Sequence, residues 1–249
     1  MARGSIPVWL SIVALAGQEK AAVTVRHAVV ACAQAAGEGA ALSMSTACGL
    51  PEPVFATDTR SEELEELQAT LGQGPSMEAL TGSAPVLAGD LADVRVTACW
   101  PELATAALAR GVAAIFAIPV SSGAARIGAL SLYREQAGEL SADELGVLLL
   151  YADAVLMLAL DSRGGLAPGA VELVGRGFTV RRAEVHQAAG MISVQLGASV
   201  TDALAALRAR AYAEARPVSE VAADVVARRL SFMSAGPTAH GEVPPGKQR

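Results

Sequence analysis

Aromatic residues make up only 4% of the 249-residue chain, with 2 Trp, 3 Tyr and 4 Phe. Recognition of exposed bases on a broad platform of stacking rings is excluded by that scarcity. Cysteine is as sparse: Cys32, Cys48 and Cys99 stand far apart with no C-x-x-C pair, so neither a zinc site nor a disulfide framework is encoded. Each lies among apolar neighbours and reads as a packed thiol of a reduced, cytoplasmic protein. Histidine is limited to His27, His186 and His240 in separate segments, so no clustered acid/base or nucleophile set is on offer and no catalytic activity is expected. No metal and no cofactor is expected either, since His27 on an apolar helix reads as a core histidine rather than an axial ligand.

Long apolar runs are missing too. GVLLLYADAVLMLALD is too short to span a bilayer and is interrupted by Asp153, so no transmembrane helix is expected. The opening MARGSIPVWLSIVALAGQEK imitates a secretory signal, with Arg3, an apolar run from Ile6 and Ala14-Leu15-Ala16. An acidic, Ala-rich helix follows directly, so a segment packed on the domain is the expectation.

What is present is aliphatic: 52% of residues are hydrophobic and 18% charged, enough core for one large domain or two modest ones. The net charge of -6 argues against a polycation that coats nucleic acid, but the charge is uneven. Residues 1–175 hold 9 Lys+Arg against 19 Asp+Glu, whereas residues 176–230 hold 8 Arg against 5 acidic residues.

Helix and strand signals alternate along the first part. QEKAAVTVRHAVVACAQAA predicts one helix from Gln18 to about Ala36, stopped by GEG. ALSMST and VFAT read as paired strands. SEELEELQATLGQGP predicts a helix capped by Ser61, with Leu64, Leu67 and Leu71 on one face and a stop at Gly72-Gln73-Gly74-Pro75. That glycine loop could border a ligand pocket but reads first as a tight turn. APVLAGDL gives a short strand, and WPELATAALARG a helix entered by Pro101 and left at Gly111. VAAIFAIPV and RIGALSLYR form a hairpin signal, and Ser141 with Glu144 a capping box for a helix to about Leu160. Hairpins and short connections imply an antiparallel sheet flanked by helices, class α+β.

SRGGLAPGA marks a boundary, and a wholly helical unit follows. Val185, Ala189, Ile192 and Leu196 form one stripe, ended by Gly197. Ser199 or Thr201 caps the next helix, which buries Ala203, Leu204, Leu207 and Ala211. Val218, Val221, Ala222, Val225 and Val226 make a third. The tail SAGPTAHGEVPPGKQR has the composition of a disordered segment.

The runs LQATLGQGPSMEAL, APVLAGDL, CWPELATAALARGVAAIFAIPV and RIGALSLYREQAGELSADE together resemble a GAF domain of actinobacterial regulators, over roughly 18–161. The resemblance implies a PAS-like antiparallel sheet between helices and a space for a small ligand. One branch of that family reduces methionine sulfoxide through a cysteine series that Cys48 and Cys99 do not supply. After a linker over 162–177, VHQAAGMI, DALAALRARAYAEARPVSEVA and VVARRL resemble the ANTAR domain, a three-helix RNA-binding module of transcription antiterminators, over 178–230, with 231–249 as the tail. The resemblance implies binding to tandem hairpins of a nascent transcript, a homodimer and no membrane. It places His186, Gln187, Ala188, Gly190, Met191, Arg208, Ala211, Tyr212 and Arg216 on the RNA face, with the small residues leaving room for a loop, Tyr212 stacking on a base and the arginines meeting phosphates. A phosphoacceptor receiver domain is not expected. Two alternatives stay open: a DNA-binding factor, although no recognition helix follows RPVSEVAADVVARR, and a non-catalytic sensor whose three helices only dimerise it.

Overall fold

Alternation along the strands sorts the first unit into layers. The computed structural model describes residues 5–36, 39–45, 51–161 and 176–232. Strands β1 (Gly39–Ser45), β2 (Pro51–Ala56), β3 (Val86–Ala88), β4 (Ala114–Ser122) and β5 (Ala125–Arg134) form one antiparallel sheet in the order β2-β1-β5-β4-β3. Ala40, Leu42, Phe116, Ile118, Leu130 and Leu132 project to one side, into a core shared with helices α1 (Ser5–Glu19), α2 (Val25–Ala36) and α7 (Ala142–Asp161). Their neighbours Ala41, Ile115 and Tyr133 project to the other, toward α3 (Thr59–Leu71) and α6 (Pro101–Ala109). Ala117 and Ala129 meet α4 (Pro75–Thr81) on that side, and α5 (Val94–Cys99) precedes α6. With both faces covered, the central strands are mostly apolar along their buried lengths, Ser43 and Ser131 being buried polar exceptions, which is why they read as nearly continuous runs. The class is α+β, as the hairpin pattern predicts.

Local chemistry explains the element ends, with three corrections to the sequence reading. The single helix expected from Gln18 is two: Lys20 adopts φ 52°, Ala21 N–H reaches back to Ala16 O at 3.0 Å, and α2 begins only at Val25. The core therefore starts ahead of residue 18, with Val8, Ile12 and Ala16 buried. Helix α3 is capped by Asp58 rather than Ser61: Asp58 Oδ1 accepts the Ser61 N–H at 2.9 Å, and Ser61 Oγ donates to Oδ2 at 2.8 Å. Gly72, at φ 66°, ends α3 as expected, but the Gly-Pro loop is more than a turn because Pro75 opens α4. The capping box of α7 is present, with Ser141 N–H donating to Glu144 Oε2 at 2.8 Å and Glu144 N–H to Ser141 Oγ at 3.2 Å.

Strands β1 and β5 come together closely. A Cβ on Gly128 would lie 2.5 Å from the backbone oxygen of Ser43, so the ladder there has room only for glycine. Pro53 sits in β2, an edge strand, where a missing N–H is tolerated.

The α3 side of the sheet holds a polar core that the periodicity did not announce. Glu65, 1% exposed, accepts Ser43 Oγ at 2.6 Å on Oε2, and Ser76 Oγ and Tyr133 OH, both at 2.7 Å, on Oε1. Ser76 has given its one proton to Glu65, so Ser131 donates to Ser76 Oγ across 2.7 Å. Gln68 closes the network, donating to Tyr133 OH at 3.1 Å and accepting the Ser76 N–H at 3.0 Å. Burial, and then the Glu65 carboxylate, push the Tyr133 phenol well above its ordinary range.

Three helices follow: α8 (Arg176–Leu196), α9 (Val200–Ala213) and α10 (Val218–Val226). Residues 162–175 of the expected linker over 162–177, and residues 233–249 of the expected tail over 231–249, lie outside the described residues, while Arg176 and Gly177 already belong to α8. Gly197 ends α8 at φ 62°, and Ser199, not Thr201, caps α9 by accepting the Asp202 N–H at 3.1 Å. Ala188, Ala189, Ile192, Ala203, Leu204, Leu207, Ala211, Val218, Val221, Ala222 and Val225 form its core, so five of the eleven contact residues are alanines and the axes approach closely. Leu196, expected in the stripe, is exposed because α8 ends there.

Candidate nucleic-acid interface

The helical unit rests on α3. Pro217, before α10, offers no capping side chain, and the Val218 N–H, one of the orphan donors of a helix start, is taken by Thr70 Oγ1 at 3.3 Å. Ser219 Oγ donates to Glu66, one turn before Thr70 on the same face. His186 of α8 meets Glu52 of β2, and Tyr212 OH of α9 points at Glu102 of α6 at 3.3 Å. Helix α3 thus turns Glu65 and Gln68 inward to the sheet network and Glu66 and Thr70 outward to the helical unit.

This packing divides the nine residues expected on one RNA face. Ala188 and Ala211 are fully buried and do not border an open surface; they are bundle core, a correction to the reading that gave them room for RNA. Gln187, Gly190 and Met191 line a groove of about 620 Å³ together with Val194, Gln195, Val225 and Arg228. Arg208 and Tyr212 lie elsewhere, in a second groove of about 390 Å³ bounded by Ala205 and Ala209 of α9, Thr70 to Gln73 of the first unit and Glu102. The glycine loop at Gly72 therefore does border a groove, one made with α9. His186 belongs to neither lining and is held by Glu52.

The charges are as unequal as the positions. Arg216 is a clasp: its guanidinium reaches Asp224 at 2.8 Å, Glu214 at 3.1 Å and Glu220 at 3.4 Å, tying the end of α9 to α10. Hydrogen bonding to Asp224 leads the effects that raise the Arg216 pKa, and the Arg216 bond leads those that lower Asp224. Arg210 is paired with Glu214 at 2.5 Å and Arg229 with Asp224 at 2.7 Å. Burial holds Arg208 below its ordinary value, partly offset by Glu52. Arg228, exposed at φ 58°, has no carboxylate partner among the described residues and stands at the rim of the larger groove. The expected site did not include Arg228, Val194 or Gln195; the Arg228-Arg229 pair in VVARRL was the available signal.

Elsewhere the residues that could bind a metal or cofactor are dispersed. His27 is a satisfied core histidine: Thr24 N–H donates to Nδ1 at 3.1 Å, which leaves the proton on Nε2, 3.2 Å from Glu19 Oε2. Among the described residues no group of three or more His, Cys, Asp or Glu could hold a metal ion. No single described helix is long and apolar enough to cross a membrane.

No family model matches the chain, and no curated protein matches it. Among solved structures it is similar to the GAF domain of a phosphoenolpyruvate-protein phosphotransferase from Coxiella burnetii, at 13% identity over 64% of this chain and 96% of that one, with a TM-score of 0.48. The corresponding Acinetobacter GAF domain is 11% identical over 64% of this chain and 94% of that one, TM-score 0.45. A domain of a two-component sensor histidine kinase protein from Sinorhizobium meliloti is 20% identical over 53% and 86%, TM-score 0.43. Likenesses this distant say nothing of what this chain binds.

Proposed function

We propose that the chain is a GAF–ANTAR regulator: an RNA-binding antitermination protein whose first unit senses a small ligand or partner and controls how the helical unit engages paired RNA hairpins. The observation that carries this reading is that the run resembling the ANTAR motif folds as three packed helices whose motif alanines are core. That core sets Gln187, Gly190 and Met191, with Arg228 beside them, along an open groove. A groove with a cation at its rim that has no carboxylate partner among the described residues suits a phosphate backbone, and its apolar lining suits an unstacked base. The position of Tyr212 and Arg208 against α3 and α6 supports control by the first unit, since a ligand that changes α3 changes what covers them.

Binding to a two-hairpin RNA and to duplex DNA of equal length, across a salt series, tests the proposal. RNA should be preferred, Arg228→Ala should weaken binding about tenfold and lower the salt slope by about one, and Arg216→Ala should act through stability instead. Equal or absent RNA binding by the parent would refute it and leave the helices as a docking or dimerisation module.

A further inference from the structure

Helix α9 carries two arginines in unlike states. Arg210 is paired with Glu214, whereas the half-buried Arg208 makes no hydrogen bond or ion pair among the described residues. A cation drawn out of water without a counter-charge is costly, and burial accordingly lowers its pKa. Glu52 offsets part of that cost but is engaged with His186. Arg208 lines the groove of about 390 Å³ between α9 and the first unit, within the range of about 300–1,000 Å³ of small-molecule sites. Glu102 of α6 lines the same groove; one of its oxygens takes the Tyr212 hydroxyl at 3.3 Å, and the other has no hydrogen-bond partner among the described residues. Helix α3 ends there at Leu71, and the last carbonyls of a helix carry partial negative charge. We propose that this groove binds a free α-amino acid with an apolar side chain, its carboxylate on Arg208 and its ammonium toward Glu102 and the end of α3.

Charge and lining select the class of ligand. A simple anion such as phosphate would satisfy Arg208 but meet Glu102 and the α3 carbonyls; a simple cation would leave Arg208 without a counter-charge. A zwitterion answers both. The rest of the lining is apolar: Leu71, the Tyr212 ring, and Ala205 and Ala209, which stand one turn apart on α9 and leave space for an aliphatic or aromatic side chain. Gly72 keeps the α3 end open, since a Cβ built there would meet no described atom within 4 Å. A ligand held by α9 on one side and by α3 and α6 on the other stabilises the contact between the two units, because it binds only where they meet. The proposal goes beyond the regulatory reading above and does not depend on it, since binding is read without RNA.

The test is calorimetric titration of the full chain, free of RNA, with L-leucine and L-phenylalanine to about 10 mM. Two matched compounds dissect the charges: 4-methylpentanoate keeps the leucine side chain and carboxylate without the ammonium, and 3-methylbutylamine keeps the side chain and ammonium without the carboxylate. At least one amino acid should bind, with each matched compound about tenfold weaker than leucine or more. Arg208→Ala should weaken the amino acid about tenfold and leave 3-methylbutylamine unaffected; Glu102→Gln should weaken the amino acid and leave 4-methylpentanoate unaffected. Arg126→Ala, which removes an exposed cation from the β4–β5 hairpin, should change nothing. Circular dichroism checks folding; were Arg208→Ala to misfold, Glu102→Gln decides, because Glu102 is exposed and its loss leaves the core intact. No binding of either amino acid, 4-methylpentanoate binding as tightly as leucine, or affinity indifferent to both substitutions would overturn the proposal. None of these outcomes bears on RNA binding, so the two readings fail separately.

Discussion

Tyr133→Phe keeps a buried ring and deletes one oxygen, so its effect measures the polar core directly. The lost hydroxyl donates to Glu65 Oε1 at 2.7 Å and accepts from Gln68 Nε2 at 3.1 Å. A bond to a charged acceptor contributes about 1.5–3 kcal/mol, and stranding the buried Gln68 donor costs about 1–3 kcal/mol. Glu65 keeps Ser43 and Ser76, so the two do not add fully and the expected destabilisation is about 3 kcal/mol, or about 6–12 °C in Tm. Urea denaturation of the full chain should show a lower midpoint with an unchanged slope against urea. The pH dependence gives an independent check. The folded phenol titrates well above its unfolded value near 10, so the folded state keeps a proton that the unfolded state releases. Stability from this group is intact below pH 10 and falls by about 1.4 kcal/mol per pH unit above it. Tyr133→Phe should remove that part of the alkaline slope. A loss under about 0.5 kcal/mol with the alkaline slope unchanged would refute the network as the anchor of α3 to the sheet.

Gly128→Ala should destabilise by about 1–3 kcal/mol, since its Cβ would meet a backbone oxygen at 2.5 Å where β1 and β5 pair; a neutral result in a urea melt would contradict that close approach. The Ser141 N–H, the Arg134 guanidinium and the Ser141 hydroxyl hold the Glu144 carboxyl down to about 2. Its contribution is therefore present above the ordinary 4.5 and lost as pH falls through about 2. A carbon NMR titration should give that midpoint, and Glu144→Gln should lose this acid dependence. Burial pushes the Cys32 thiol up to about 12, whereas Cys99 is exposed. At pH 8 a disulfide reagent should modify Cys99 in the folded chain and Cys32 only after unfolding; equal rates would argue against the packing of α2 on the sheet.

Much of the local structure was written in short stretches, because caps, turns and periodicity act within a few residues. The Ser141/Glu144 box, the β4–β5 hairpin, the Pro101 start, the Gly72 and Gly197 stops and the buried run Ala203, Leu204, Leu207 and Ala211 all follow from neighbours in sequence. The break at Lys20 was hidden because nothing in QEKAAV signals a left-handed residue; the docking of α1 decides it.

The sequence by itself determined the α+β class of the first unit, the three helices of the second and the alanine content of their contacts, since each rests on spacing along one element. Only the tertiary structure decided that SEELEELQ, in which the sequence marks just the leucine face, buries Glu65 and Gln68 among Ser43, Ser76, Ser131 and Tyr133. It alone put Ala188 and Ala211 in the core, tied Arg216 to three carboxylates and set Arg208 and Tyr212 in a different groove from Gln187 and Gly190. The reason is physical: a side chain's type and periodic position name the face it occupies, but its charge and exposure depend on what another element, distant in sequence, brings against that face.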